Sequence, residues 1–101
     1  MTIDNTQRLG VRKELPEIGE IGDASLAEKV VEAWALALSQ SSFGQIADIP
    51  ASGNPDTPPL KTGTQTDHIR GVTRLAIAIA DELGQLFEEL PVDRDLVIAA
   101  A

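Results

Sequence analysis

His68 is the only histidine in this chain, and its side chain has the widest chemical scope of any residue present. Imidazole is a common ligand for divalent metals and titrates near neutral pH. A metal centre needs at least three protein ligands as a rule. Asp67, Asp81, Asp93 and Asp95 are candidates by type, but none stands three or four residues from His68, the spacing that would set it beside the imidazole on one helix. Ser41 and Ser42 supply hydroxyls, yet no Ser–His–Asp or Cys–His arrangement can be built from the spacing. The absence of cysteine excludes disulfides and thiolate metal sites. A lone histidine opening a helix is more often a cap or a partly buried polar group than a ligand, so residue types alone leave its role open.

The element that carries His68 is a helix, expected from Thr66 or Asp67 to Leu83. Either residue can cap its start, and Gly84 suits the position just past its end. Ile69, Val72, Ala76, Ile79 and Leu83 alternate steps of three and four, with Leu75 and Ala80 widening the stripe. That spacing makes the stripe the expected buried face and puts His68 on the same side, with Arg70, Arg74 and Asp81 opposite. An earlier helix is expected from Ser25 to about Gln40, opened by a capping box of Ser25 and Glu28. Leu26, Val30, Ala33, Trp34, Ala37 and Leu38 form its apolar face, with Trp34 as a core anchor. Between the two helices, residues 41–65 hold scattered prolines and glycines and no sustained periodicity, which predicts a long loop with Lys61 as its one basic residue. Its glycines do not match a phosphate-binding motif. Residues 1–24 read as a polar lead ahead of a helical domain over 25–101. In that lead Leu15, Ile18 and Ile21 recur every third residue, as in a helical turn or an extended strip lying on a neighbouring surface.

Composition narrows the class. With three aromatic residues, Trp34, Phe43 and Phe87, the core must be built from Ala, Leu, Val and Ile, which suits packed helices. The expected fold is an all-α helical bundle. A net charge of −8 argues against non-specific binding to nucleic acid or to an anionic membrane. No apolar run approaches a membrane span, and no basic segment precedes an apolar stretch at the start, so a cytoplasmic protein is the expectation.

The last residues are Asp93-Arg94-Asp95-Leu96-Val97-Ile98-Ala99-Ala100-Ala101. Asp93 can cap a helix, and an apolar run follows without a polar face, a glycine stop or a basic last turn. The expectation is a buried helix interrupted near its middle, in the front part of a larger domain. On that reading Leu96 to Ala101 is either poorly ordered or buried against another chain, and the apolar C-terminus is a place for self-association.

The stretch from Asp67 to Ala80, Asp67-His68-Ile69-Arg70-Gly71-Val72-Thr73-Arg74-Leu75-Ala76-Ile77-Ala78-Ile79-Ala80, resembles the opening of an HD-superfamily metal-dependent phosphohydrolase domain. There a metal-ligating histidine begins a helix, an Arg and a Val commonly follow, and an Ala/Ile/Leu-rich face comes next. The run Leu96 to Ala101 resembles the second helix of that domain, cut just before its His-Asp pair. Together these segments cover about a third of the chain. The resemblance implies an incomplete HD-type domain, in which a complete domain holds a divalent metal (Mn, Mg, Co, Ni or Fe) through His, His, Asp and Asp and acts on a small phosphorylated substrate. The metal would polarise a phosphate ester and lower the pKa of a bound water. Only His68 carries over as a ligand, with Asp67 and Arg70 beside it. Arg70 fits the motif, or pairs with Asp67 on the helix surface. The fragment alone would be inactive and hold no metal stably. The other reading of the same residues is a small acidic helical module that binds a protein partner through its apolar C-terminal helix.

Overall fold

A computed structural model describes residues 5–49 and 64–101. The described residues form four α-helices and two 3-10 turns, α1 (Asn5–Glu14), α2 (Ala24–Ser39), α3 (Gln65–Leu86) and α4 (Arg94–Ala100), with the turns at Pro16–Glu20 and Ile46–Asp48. There is no strand among the described residues, and the fold is all-α. None of these helices is long and apolar enough to cross a membrane.

Periodicity gives no helix before Ser25, yet α1 is there. Its sequence is polar and carries Gly10 mid-helix, which costs about 1 kcal/mol relative to alanine. Tertiary contacts offset that cost. Val11 is fully buried, and Arg8 and Arg12, four residues apart, pair with Glu32 and Glu28 on α2. The order of the rungs, low number with high, sets the two helices antiparallel. Leu15, Ile18 and Ile21 are all buried in the shared core, and the 3-10 turn that Pro16 opens lies between Leu15 and Ile21, so the helical-turn alternative holds for this part of the lead.

Helix α2 starts one residue earlier than expected. Asp23 is its cap, accepting hydrogen bonds from the backbone N–H groups of Ser25 and Leu26 at 2.9 and 3.2 Å. Ser25 lies inside the first turn, and Glu28 faces Arg12 instead of closing a capping box. The buried row is Ala27, Val31, Ala35 and Leu38, rotated by about one position from the expected stripe. Leu26, Val30 and Trp34 are half-buried against the edge of this core. The small side chains of Ala27 and Ala35 face inward and leave room for the neighbouring elements, a preference that apolar spacing does not encode.

The 41–65 segment begins with a structured piece. Ile46, in the turn at Ile46–Asp48, is fully buried. Its placement depends on Glu14, the last residue of α1. One oxygen of that carboxylate accepts the N–H of Ile46 at 2.8 Å. The other accepts the N–H of Ala47 at 2.8 Å and the hydroxyl of Thr66 at 2.9 Å. A single side chain thus closes the start of the turn and the first turn of α3. Lys61 lies outside the described residues.

Helix α3 is capped by Thr64, not by Thr66 or Asp67. Thr64 and Asp67 form a capping box, each side chain meeting the other's backbone N–H. The helix runs past Gly84 to Leu86, so Gly84 is internal. Its inward face is the main correction. Thr73, Ile77 and Ala80 are buried. Val72, Leu75, Ile79 and Leu83 are 46, 63, 52 and 37% exposed, while Ile69 packs against the core edge. Apolar residues run nearly all round this helix, so period alone admits more than one inward face. The face that turns in carries Thr73 and Ala80, small enough for close approach.

Helix α4 forms at the expected place with Asp93 as its cap, donated to by the N–H of Leu96 at 3.1 Å. Instead of disorder from Leu96 onward, the segment is helical and docked, with Ile98 buried and Leu96 exposed. So short a helix is unstable alone in water. Side chains from its first turn hold it. The Asp95 carboxylate accepts the N–H groups of Gly22 and Asp23, both at 2.9 Å. Arg94 donates to Asp81 at 3.0 Å and to the backbone and side chain of Glu20 at 3.3 Å. The Asp81 hydrogen bond is the largest influence raising the Arg94 pKa above its ordinary value.

Two stability measurements check this architecture. Ile77→Ala is expected to cost about 2–5 kcal/mol in urea unfolding, and Ile79→Ala only about 0.5 kcal/mol. Equal losses would mean that the inward face of α3 is misassigned. Glu14→Ala strands three donors and is expected to cost about 3 kcal/mol. A loss no larger than that of the exposed Arg74→Ala would show that the carboxylate clamp contributes little.

Candidate functional site

His68 is the fourth residue of α3. Its backbone N–H donates to the carbonyl of Thr64 at 3.0 Å, as a helix requires, and its residue is solvent-exposed. It shares a helix face with Val72, Leu75 and Ile79, three turns or less away. That face points outward, so the histidine opens an uncovered apolar row and not a buried one.

The carboxylates that qualified by residue type are committed elsewhere. Asp67 accepts from the backbone N–H and the hydroxyl of Thr64 at 3.1 and 3.3 Å. Asp81 holds Arg94, Asp93 caps α4, and Asp95 holds the chain just ahead of α2. Among the described residues there is no group of three or more His, Cys, Asp or Glu side chains that could hold a metal ion. Among the described residues, His68 thus stands without a second ligand beside it. Ser41 is engaged in the turn after α2, donating to the Leu38 carbonyl at 3.0 Å and accepting from the N–H of Phe43 at 3.1 Å.

Arg70 is on the core side of α3 and reaches Glu17, not Asp67. Its Nε donates to both oxygens of Glu17 at 3.0 and 3.2 Å. Glu17 is buried, while Arg70 is only half-covered. The pair borders a cavity of about 30 Å³, which Trp34, Thr73 and Ile98 also line. That is room for roughly one water, with polar groups on one wall to hold it. Trp34 packs against the core edge here and also faces an open apolar groove of about 320 Å³ between α2 and α4, shared with Leu26, Leu96 and Ala99. A third depression, of about 490 Å³, lies between Gln7, Gly10, Lys13, Glu14 and Gln45. His68 lines none of these three.

Glu14 and Glu17 escaped the sequence reading. Both sit in the polar lead, and neither has a local motif. Their partners lie more than thirty residues away, so no window along the chain exposes them. Comparison with protein-family models, curated proteins and solved structures finds no match.

The Glu17–Arg70 pair yields a direct check. Arg70→Ala leaves a buried carboxylate without its cation. A fully buried pair broken this way loses 3–5 kcal/mol, and the partial exposure of Arg70 reduces the expected loss to about 2 kcal/mol. Replacing both residues by leucine should recover most of it, because no unpaired charge then remains. Urea midpoints of the two variants decide the matter. A double variant no more stable than Arg70→Ala would mean that the pair acts through packing and not through its charge.

Proposed function

We propose that this chain is the N-terminal part of a metal-dependent HD-type phosphohydrolase, with His68 as one ligand of its divalent metal. The observation that carries the reading is the position of His68, exposed in the first turn of α3 and in line with an uncovered apolar face. A ligand so placed can be completed by side chains on another element laid along that face. No such set stands among the described residues, and this reading puts those side chains on a later part of the protein. Phosphate-ester or nucleotide substrates and a cytoplasmic location belong to the same proposal. Arg70 and Asp67 serve it as positioning residues. Arg70 ties the ligand-bearing helix to the turn at Pro16–Glu20, and Asp67 fixes the helix start beside the histidine.

The competing reading, a module that binds a protein partner through its apolar C-terminal helix, keeps only part of its docking face, since Leu96 is exposed while Ile98 is buried within the chain. The two separate on metal. The chain by itself is expected to show no metal-dependent hydrolysis of a generic phosphate ester with Mn²⁺, Mg²⁺, Co²⁺, Ni²⁺ or Fe²⁺, since one histidine cannot hold the ion against water. Turnover that disappears in His68→Ala would overturn the claim that the centre is incomplete. The flanking coding sequence tests the family reading. It should continue with two or so apolar residues and then a His-Asp pair. On that longer polypeptide, His68→Ala should lower bound metal at unchanged helicity. A continuation without such a pair, or metal content indifferent to His68, rejects the hydrolase reading.

A further inference from the structure

Helix α4 is fastened to the fold more by polar contacts than by apolar packing. Ile98 is its one buried residue, and seven residues are too few to stay helical alone in water. The remaining attachments lie at the surface. The Asp95 carboxylate accepts the N–H groups of Gly22 and Asp23, and Arg94 donates to Asp81 and Glu20. Water and salt reach all of them, and such pairs hold weakly. The tether to α3 adds little restraint. Residues 81–91 are all exposed, and 87–93 carry no helix. Few buried apolar contacts and solvent-exposed hydrogen bonds mark a unit that opens ahead of the rest of a fold.

What α4 covers gives that opening a consequence. Ile98, Ala99 and Ala101 wall one side of the cavity of about 30 Å³ that Glu17, Thr73 and Trp34 line from the other elements. Glu17 and Thr73 are the buried polar residues among those described. With α4 swung aside, a carboxylate, its arginine partner, a hydroxyl and an indole share one open cleft. Wetting the Glu17 carboxylate restores part of its hydration, which offsets part of the cost of exposing Ile98.

We propose that α4 is a lid on this cleft, hinged in residues 87–93 and latched by Asp95, which opens while α1, α2 and α3 stay folded. The lid does not depend on the metal reading, and either can fail without the other. Amide exchange of the 101-residue chain in increasing urea separates local from global opening. The N–H groups of Val97 and Ile98 should exchange with little dependence on urea, well ahead of those of Val31 and Ala35 in α2. Val11→Ala weakens the core from α1, while α4 packs mainly on α3, α2 and the turn at Pro16–Glu20. It should speed exchange at Val31 and Ala35 and leave Val97 and Ile98 unchanged. Asp95→Asn removes the charged acceptor and should speed exchange at Val97 and Ile98 about ten-fold. The chain has no native cysteine, so a single thiol in Thr73→Cys reports on the cleft itself. Its labelling in the absence of urea should rise with Asp95→Asn and ignore Val11→Ala. The same urea dependence in α4 as in α2 overturns the proposal. So does a Val11→Ala variant that speeds all four amides alike, or a Thr73→Cys thiol whose labelling is indifferent to Asp95→Asn.

Discussion

The carboxylate of Glu14 is the constraint on which the arrangement of the other elements depends. It ends α1, accepts hydrogen bonds from the N–H groups of Ile46 and Ala47, and accepts another from the hydroxyl of Thr66. Three separate stretches of chain meet on two oxygen atoms. Hydrogen bonds to a charged acceptor are worth more than neutral ones, and the donors they satisfy would otherwise be orphaned at the start of a turn. Ile46 can then enter the core at full burial, and α3 begins at a fixed point. Since Ile46 and Ile77 share one core with Val11 and Val31, the place of α3 against that core follows from where Glu14 holds the chain.

The same device recurs with other acids, which gives the net charge of −8 a structural meaning. Asp23 and Asp93 cap α2 and α4, Asp67 completes the box at α3, and Asp95 binds the N–H groups of Gly22 and Asp23 across the fold. Short helices expose many unpaired N–H groups relative to their length, and a carboxylate there meets both the donors and the positive end of the helix dipole. Read along the chain, these aspartates look like a supply of metal ligands. In three dimensions they are spent on helix starts, which is why His68 finds no partner among them.

What was legible in the sequence follows from the range of the forces involved. The all-α class, the cap at Asp93 and the existence of α2 and α3 are local matters of composition, capping and period, and those expectations agree with the structure. The face of α3 was not legible. Ile77 and Ile79 are equally apolar and two residues apart, and what decides between them is the position of Ile46 and Ile98, contributed by remote segments. Helix α1 was hidden for a related reason. It buries one residue fully, Val11, and its ion pairs with Glu28 and Glu32 become visible only once α2 is laid beside it. At the candidate site, spacing puts His68 near the start of α3 and on one face with Val72 and Ile79, but it takes that face to be buried and the cap to be Thr66 or Asp67, whereas His68 is exposed and Thr64 is the cap. The engagement of Asp67, Asp81 and Asp95 could not be read from spacing, since it is made by backbone groups and arginines brought near by folding.

Helix α3 thus has two apolar faces with different debts to the rest of the molecule. The inner face, Thr73, Ile77 and Ala80, is narrow and lined by small groups, and a modest core suffices to cover it. The outer face is richer in large side chains than the inner one, yet it meets water. Hydrophobic burial is the dominant favourable contribution to folding, so a chain that leaves its larger aliphatic row outside has surrendered stability at that row. That loss is recovered only when something else lies along it. His68 stands at the end of the same row, in the first turn of α3. Whatever covers Val72, Leu75 and Ile79 must therefore come close to the imidazole too, and the chemistry open to His68 is set by the side chains that this covering element carries.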